Sequence, residues 1–186
     1  MTRILGLSGS LRKGSFNTAV LRAGAGLMPP GARLDVATLH GIPLYDGDAE
    51  AQGGLPAAVI ALKQRIVESD ALLIATPEYN NGVPGVLKNG IDWLSRPSAD
   101  IGRVFGQRHV AVIGASPGGF GTILAQNAWL PILRTLGVQP WFGGRLMMSH
   151  AGQVFDEGGA MVDEKMKAKL QQFLQDFVTA IQRHVP

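Results

Sequence analysis

The residues between Gly9 and Thr18 have the types and the spacing that a bound phosphate group requires. A guanidinium, several hydroxyls and an amide lie in one short loop, directly before a segment with helical periodicity. The N–H groups in the first turn of a helix have no partner within it and carry the positive end of its dipole, so they can bind an anion. An arginine can add a charge-assisted bidentate contact. The candidate ligands are Ser10, Arg12, Ser15, Asn17 and Thr18.

A simpler interpretation of this loop is that Ser15 only caps the helix. The loop matches neither GxGxxG nor the P-loop pattern GxxxxGK followed by Ser or Thr. Those patterns are typical of dinucleotide-binding Rossmann units and of NTP-hydrolysing proteins. The loop therefore favours a ligand with a single phosphate.

The elements that must position this loop are short apolar runs alternating with helical patterns. Periodicity predicts helices that begin at Phe16 and after Pro56, a helix over Gly85–Leu94, and a helix over Thr122–Leu136 that Pro131 should kink or break. The segments His40–Leu55 and Ser98–Gln107 are interpreted as a long loop and a linker. The predicted strands are Arg3–Ser8, Arg33–Leu39, Ala71–Ala75, His109–Ala115, and an interrupted last strand over Val138–Met148. The final helix should bury Met166, Leu170, Phe173, Phe177 and Ile181.

This alternation predicts an α/β fold of the flavodoxin-like type, a three-layer sandwich around a five-stranded parallel sheet in the order 2-1-3-4-5. Residues 1–186 should form a single domain. Ligands of such sheets bind beyond the carboxyl ends of the strands, at the switch point between the first and third strands. Glycine is frequent, 25 of 186 residues, and clusters where the apolar runs end. The loops after the first, third and fourth strands are therefore the candidate ligand loops.

The composition excludes several classes of chemistry. The chain has no cysteine, which excludes disulfides, a cysteine nucleophile, iron–sulfur clusters and thiolate zinc sites, so any redox chemistry must come from a bound cofactor. Its net charge is +3 without a basic run, so no nucleic-acid partner is expected. No apolar stretch could span a bilayer or serve as a secretory segment, and we therefore predict no membrane partner and a cytoplasmic location. No metal site is predicted, because ligand spacing is lacking among His40, His109, His150 and His184.

Three segments carry a family resemblance. GSLRKGSFN, TPEYNNGVPGVLKNGIDWLSRP and GASPGGFGT, in this order, resemble the NADPH-dependent FMN reductase family, and above all its quinone- and chromate-reducing members. The resemblance extends from Arg3 through the VFDEGG stretch near Val154 into the final helix. It implies a flavodoxin-like fold, bound FMN, NADPH or NADH as co-substrate, and a homodimer or homotetramer. The reaction that it implies is hydride transfer through FMN to a small-molecule electron acceptor such as a quinone, with chromate or azo compounds as adventitious acceptors.

The resemblance also assigns roles to individual residues. It places the FMN phosphate on the five candidates named above. Glu78 should orient its loop by a hydrogen bond or an ion pair, and no side chain is assigned as a catalytic acid or base. The sequence departs from the family pattern at Pro117 and at Thr122, where a second glycine is common, which leaves the contacts of that loop open. The implied ring contacts are Pro77, Glu78, Tyr79 and Asn80, and the pocket is completed by Ser116, Pro117, Gly118 and Gly119.

Two other functions remain open from the residues. A flavodoxin-type electron carrier would share the fold and FMN but would not turn over NAD(P)H; such carriers are strongly acidic, which the positive charge of this chain disfavours. A non-redox interaction module could also use the fold. Trp93 and Trp129 are expected in the core or in a subunit contact. The helix Gly85–Leu94 is expected in a dimer contact, because one core contact would not cover Val86, Leu87, Ile91, Trp93 and Leu94.

Overall fold

A computed structural model describes residues 1–183, so His184 lies outside the described residues. Its strands form a parallel sheet in the order β2-β1-β3-β4-β5, and β6 also pairs with β4. The predicted order is confirmed. The interrupted last strand is present as two short strands, separated by residues 141–146. The strands are β1 (Thr2–Ser8), β2 (Ala32–Ala37), β3 (Ala71–Ala75), β4 (His109–Ala115), β5 (Gln139–Pro140) and β6 (Met147–Met148).

The helices cover both faces of the sheet. The expected break near Pro131 is confirmed, because two helices replace one, with Trp129 between them. The helices are α1 (Phe16–Ala25), α2 (Gly47–Gly53), α3 (Ala57–Val67), α4 (Gly85–Leu94), α5 (Ile101–Val104), α6 (Ile123–Ala128), α7 (Leu130–Thr135), α8 (Ala151–Val154) and α9 (Glu164–Arg183), and a 3-10 turn covers Ser98–Asp100.

Two segments interpreted as irregular contain short helices, so those predictions were wrong. The segment His40–Leu55 includes α2, and Ser98–Gln107 includes the 3-10 turn and α5. Helix α2 buries none of its residues and is capped by the Asp46 side chain, which accepts from the Asp48 N–H at 2.9 Å. A helix without a buried face leaves no apolar periodicity in the sequence, which is why the pattern did not indicate it.

The core lies on both faces of the sheet. Strand β3 is buried along its whole length. Residues alternate between the faces of a strand, so its side chains supply both cores. One core joins the sheet to α1, α8 and α9, and the other joins it to α3, α4, α5 and α7. The four deepest residues of the predicted α9 face, Leu170, Phe173, Phe177 and Ile181, are buried, whereas Met166 is partly buried.

The expectation that one core contact would not cover the apolar residues of α4 was wrong for four of the five residues, whereas Val86 is only partly buried. Leu87, Ile91, Trp93 and Leu94 are at most 2% exposed within the single chain. The segment after β2 covers Trp93, since the Tyr45 ring meets the Trp93 ring edge-on at 4.9 Å between centroids, and the Trp93 Nε1 donates to the Pro43 carbonyl at 2.9 Å. Trp129 is also fully buried. Both tryptophans therefore belong to the core, and the apolar residues of α4 give no reason for a subunit contact.

A buried lysine connects α3 to the chain around α5. The Lys63 side chain is 4% exposed and donates to Asp100 at 2.7 Å and to the Arg96 carbonyl. Arg103 donates to the same carboxylate at 2.8 Å. The hydrogen bonds from Arg103 and Lys63 hold the pKa of Asp100 well below its usual range. The Lys63–Asp100 pair therefore connects α3 to the 3-10 turn that follows α4.

Candidate functional site

Three loops meet at the carboxyl edge of the sheet. The register pairs Ser8 with Ala75 and Ala75 with Ile113, so β1, β3 and β4 end side by side. We call the segments that follow them the first loop (residues 9–15), the second loop (76–84) and the third loop (116–122). A Cβ on Gly9 would lie 2.8 Å from Pro77 Cδ and 3.1 Å from the Ala75 carbonyl oxygen. Glycine therefore allows the first loop to lie against the second.

The first loop has the donors that a phosphate group needs. Within the described chain, the N–H groups of Gly14, Phe16 and Asn17 have no hydrogen-bond partner. Phe16 and Asn17 form the first turn of α1, where the helix dipole favours an anion. The exposed Arg12 uses one guanidinium nitrogen to donate to the Gly14 carbonyl at 2.8 Å, which leaves other N–H groups of its fork for a ligand. These groups fit the phosphate of FMN.

Other side chains of this region are buried and already bonded within the protein. Ser10, Asn17 and Thr18 are each 4% exposed. The Thr18 hydroxyl lies 2.7 Å from the Ser8 hydroxyl, and the Ser10 hydroxyl accepts from the Arg12 N–H at 3.3 Å. The Ser15 hydroxyl accepts from the Thr18 N–H at 3.3 Å, which is the capping contact expected as the simpler interpretation. These four side chains shape the loop, whatever further contacts they make with a ligand.

Asn17 reaches another part of the sheet. Its Nδ2 donates to the Ala115 carbonyl at 2.9 Å, and its Oδ1 accepts from the Ala115 N–H at 3.0 Å. Ala115 is the last residue of β4 and directly precedes the third loop. The sequence predicts Asn17 as a phosphate ligand, and the local spacing of residues contains no sign of a partner 98 residues away.

The second loop is open and its tip has an unusual backbone. Tyr79 and Gly82 exchange backbone hydrogen bonds of 3.3 and 3.1 Å. Asn80 and Asn81 between them have φ of 50° and 60°, a left-handed conformation that asparagine tolerates better than most residues. The Tyr79 side chain is 48% exposed. An aromatic body next to open space suits contact with a planar ring system.

Glu78 connects the second loop to the helix that follows the third. Its Oε2 accepts from the Ala125 N–H in the first turn of α6 at 2.9 Å. A buried hydroxyl adds a second connection, since Thr76 Oγ1 accepts from Trp129 Nε1 at 3.0 Å and donates to the Pro77 carbonyl at 2.8 Å. Glu78 therefore makes a hydrogen bond of the expected kind, and its orienting role at the site stays a prediction.

The third loop is held at both ends and open in the middle. The Ser116 N–H donates to the Met148 carbonyl at 2.9 Å, and its hydroxyl donates to the Gly118 carbonyl at 3.2 Å while accepting from the Gly121 N–H at 3.1 Å. The residues between these contacts are exposed, and a Cβ on Gly118 would meet nothing within 4 Å. The middle of the loop therefore has room for a ligand.

Thr122 at the end of this loop has a strained backbone. Its φ of 68° lies in the left-handed region, and the residue is fully buried. A β-branched residue seldom takes this conformation, which gives a physical reason for the glycine expected here from the family pattern. Gln126 Nε2 donates to the Thr122 hydroxyl at 3.1 Å and to the Leu146 carbonyl at 3.2 Å. The helix that follows thus holds the strained residue in place.

The segment after β2 flanks the first loop. His40 Nε2 lies 3.1 Å from the Leu11 carbonyl oxygen, and Nδ1 lies 3.0 Å from the Thr38 hydroxyl. A carbonyl only accepts, so Nε2 must carry a proton. Further along, Tyr45 donates to Glu50 at 2.9 Å, and this hydrogen bond raises the pKa of Tyr45. Sequence reasoning missed His40, because a lone histidine in an irregular segment gives no signal of its partner.

One cleft of the described residues lies apart from the first and second loops. It has a volume of about 390 Å³ and lies between β4, α6 and α7 on one side and residues 140–147 on the other. Its lining includes Ile123 and Leu124, which directly follow the third loop. Most of its lining side chains are apolar, whereas the donors suited to a phosphate lie in the first loop. We therefore place the candidate site at the three loops.

Known proteins match this chain over most of its length. The family model of the NADPH-dependent FMN reductases matches residues 2–153. The chain is 45% identical over 173 residues to an NAD(P)H-dependent FMN reductase of Pseudomonas aeruginosa, covering 93% of this chain and 91% of the relative. It is 37% identical over 169 residues to a 2-hydroxy-1,4-benzoquinone reductase of a Burkholderia species, covering 91% and 90% of the two chains.

A solved structure shows the same fold over almost the whole chain. The flavoenzyme NAD(P)H:(acceptor) oxidoreductase of Paracoccus denitrificans superposes with a TM-score of 0.85 at 35% identity, and the match covers 99% of each chain. The flavodoxin-like architecture predicted from the sequence is confirmed by this neighbour and by the strand order.

Proposed function

Since the chain belongs to the NADPH-dependent FMN reductase family, it is an FMN-dependent NAD(P)H oxidoreductase, and we propose that quinones are its electron acceptors. One observation carries the placing of FMN, namely that the three loops meet at the carboxyl edge where β1 and β3 adjoin. The name of the Burkholderia relative, a benzoquinone reductase, supports a quinone as acceptor. When bound, FMN supplies the redox chemistry, as a hydride acceptor for NAD(P)H and an electron donor for the second substrate.

In the proposed FMN site, the three loops bind different parts of the cofactor. The free N–H groups at the start of α1 and the Arg12 guanidinium bind the phosphate. Ser10, Ser15, Asn17 and Thr18 are proposed to shape that end of the site, and any direct contact with the phosphate is additional to the bonds they already make. The ring lies beside Pro77, Glu78, Tyr79 and Asn80, and Ser116, Pro117, Gly118 and Gly119 complete the pocket. These thirteen assignments are proposals.

No side chain is proposed as an acid or base in the hydride transfer. Glu78, the one carboxyl among the thirteen proposed contacts, accepts a hydrogen bond from the Ala125 N–H. Its proposed role is to hold the second loop against α6. Orientation of the two substrates at the ring is then the contribution of the protein, which can be large when the reacting groups are held in place.

The direct test combines cofactor extraction with steady-state turnover. Protein purified without added flavin is expected to release FMN, and to oxidise NADPH or NADH in the presence of a benzoquinone. Release of mostly FAD would contradict the single-phosphate site. Bound FMN without NAD(P)H turnover would instead indicate the electron-carrier function, and a protein that binds no flavin would indicate a non-redox module.

The assembly is a further proposal. We propose a homodimer or homotetramer on the family resemblance alone, because the apolar residues of α4 are covered within one chain. Sedimentation velocity at micromolar concentration is expected to show a dimer or a larger species. A fully active monomer at that concentration would overturn the proposal. The single domain over residues 1–186 and the cytoplasmic location stay predictions.

Residues 1–183 contain no helix that is both long enough and apolar enough to cross a bilayer.

A further inference from the structure

The inference concerns the buried amide of Asn17 and rests on the proposed FMN site. In the sheet, β3 lies between β1 and β4, so the ends of β1 and β4 are not hydrogen-bonded neighbours. The Asn17 side chain spans this separation, joining the start of α1 to the last residue of β4 by two hydrogen bonds. The side chain is therefore a direct connection between the first loop and the third.

The chemistry of the contact requires an amide. Ala115 presents one backbone donor and one backbone acceptor, and both are satisfied by the same side chain at 3.0 and 2.9 Å. A carboxylate could only accept, and an aliphatic residue could do neither. The residue is 4% exposed, so loss of the amide would leave buried polar backbone groups without partners.

The consequence reaches the third loop through the chain itself. Ala115 precedes Ser116, whose hydroxyl organises the turn by contacting Gly118 and Gly121. A shift of the end of β4 would therefore move the residues proposed to complete the ring pocket. We propose that Asn17 is a positioning residue, which sets the third loop, and with it the ring end of the FMN site, relative to the phosphate end.

The alternative is that Asn17 acts as a phosphate ligand through its remaining amide hydrogen. The two roles differ in their dependence on the ligand, because riboflavin has the ring of FMN but no phosphate. A phosphate ligand contributes to the binding of FMN alone. A positioning residue contributes to the binding of both flavins.

The experiment measures the Kd of FMN and of riboflavin for the flavin-free protein by fluorescence quenching, in the wild type, Asn17→Ala and Arg12→Ala. For Asn17→Ala we expect both Kd values to rise by a similar factor of about five or more, the scale of one lost hydrogen bond. The visible absorption band of bound FMN should also differ from the wild type, because the ring environment has moved. For Arg12→Ala, the matched control, only the Kd of FMN should rise, with an unchanged band.

Several results would overturn the inference. A Kd for FMN that rises by clearly more than that for riboflavin would make Asn17 a phosphate ligand. Unchanged Kd values, or equal rises with an unchanged absorption band, would give it only a general role in stability. If Asn17→Ala does not fold, Asn17→Ser is measured in the same way, since a hydroxyl can keep one of the two bonds. Failure of the wild type to bind FMN would instead contradict the proposed function.

Discussion

The region of the first loop and the tip of the second loop, residues 79–82, use their side chains in opposite ways. In and just after the first loop, Ser10, Asn17 and Thr18 are each 4% exposed, and their side chains are hydrogen-bonded within the protein. In the second loop, Tyr79 is 48% exposed, and its position is set by backbone hydrogen bonds of the turn. In the first region, each of these polar residues both stabilises the fold and shapes the site. At the tip of the second loop, the Tyr79 side chain is exposed and does not stabilise the fold.

This difference predicts two kinds of variant. We call a position committed when its side chain is buried and hydrogen-bonded within the protein, and open when it is exposed. Substitutions at committed positions should lower both the stability of the flavin-free protein and its affinity for flavin. Substitutions at open positions should change binding or turnover and leave stability within about 0.5 kcal/mol. Arg12 is the informative exception, since it lies in the first loop but is exposed.

The largest effect on stability is expected at Gly114, a tightly packed glycine, and Gly118 is an open glycine that serves for comparison. A Cβ on Gly114 would lie 1.8 Å from the Thr122 hydroxyl oxygen and 2.5 Å from the Thr76 carbonyl oxygen. Gly114→Ala should therefore lower the free energy of unfolding by about 3 kcal/mol through overpacking, as measured by urea unfolding without flavin. Gly118→Ala, where the added methyl group meets nothing within 4 Å, is the control and should unfold like the wild type. Equal losses in the two variants would contradict the division.

The next effect concerns turnover. Tyr79→Ala should slow the reduction of bound FMN by NADPH by up to about 100-fold, the scale of a positional error of about 1 Å. Its free energy of unfolding should stay within about 0.5 kcal/mol of the wild type, because the side chain is an exposed one. Rapid mixing followed at the flavin absorption band measures the first quantity, and urea unfolding the second. A strongly destabilised variant would mean that the Tyr79 side chain also stabilises the fold.

A smaller effect is expected at Arg12. Arg12→Ala removes a charge-assisted contact to the phosphate, and because the side chain is exposed we expect the low end of the range for such bonds, about 1.5 kcal/mol or roughly a tenfold rise in the Kd of FMN. Stability without flavin should be unchanged. Unaltered affinity for FMN would place the guanidinium outside the phosphate site.

The smallest effect is expected at Glu78. Glu78→Gln keeps a side-chain oxygen that can accept from the Ala125 N–H, so the second loop should keep its place and the rate of flavin reduction should fall by no more than about threefold. Rapid mixing with NADPH measures it. A decrease of about a thousandfold with FMN still bound would show that the carboxyl acts as an acid or base.

Local patterns were sufficient for much of the fold. The sequence predicts three elements with the bounds that the structure has, namely Ala71–Ala75, His109–Ala115 and Gly85–Leu94. Buried apolar runs and amphipathic spacing indicate directly which residues face the core. Helix α2 lacks a buried face, so its sequence contains no apolar periodicity that would predict it. At the site, the sequence indicated the three loops and the orienting role of Glu78, while the partner of His40 was not visible.

The sequence by itself therefore determined the order of the strands, the edge at which the loops meet, and the side-chain types that can bind a phosphate and a planar ring. Only the tertiary structure decided that Asn17 pairs with Ala115, that Lys63 is buried against Asp100, and that the segment after β2 covers Trp93 of α4. The reason is physical. Periodicity and loop chemistry are properties of neighbouring residues, whereas these contacts depend on the register of strands and on the path of segments tens of residues away, which no local pattern encodes.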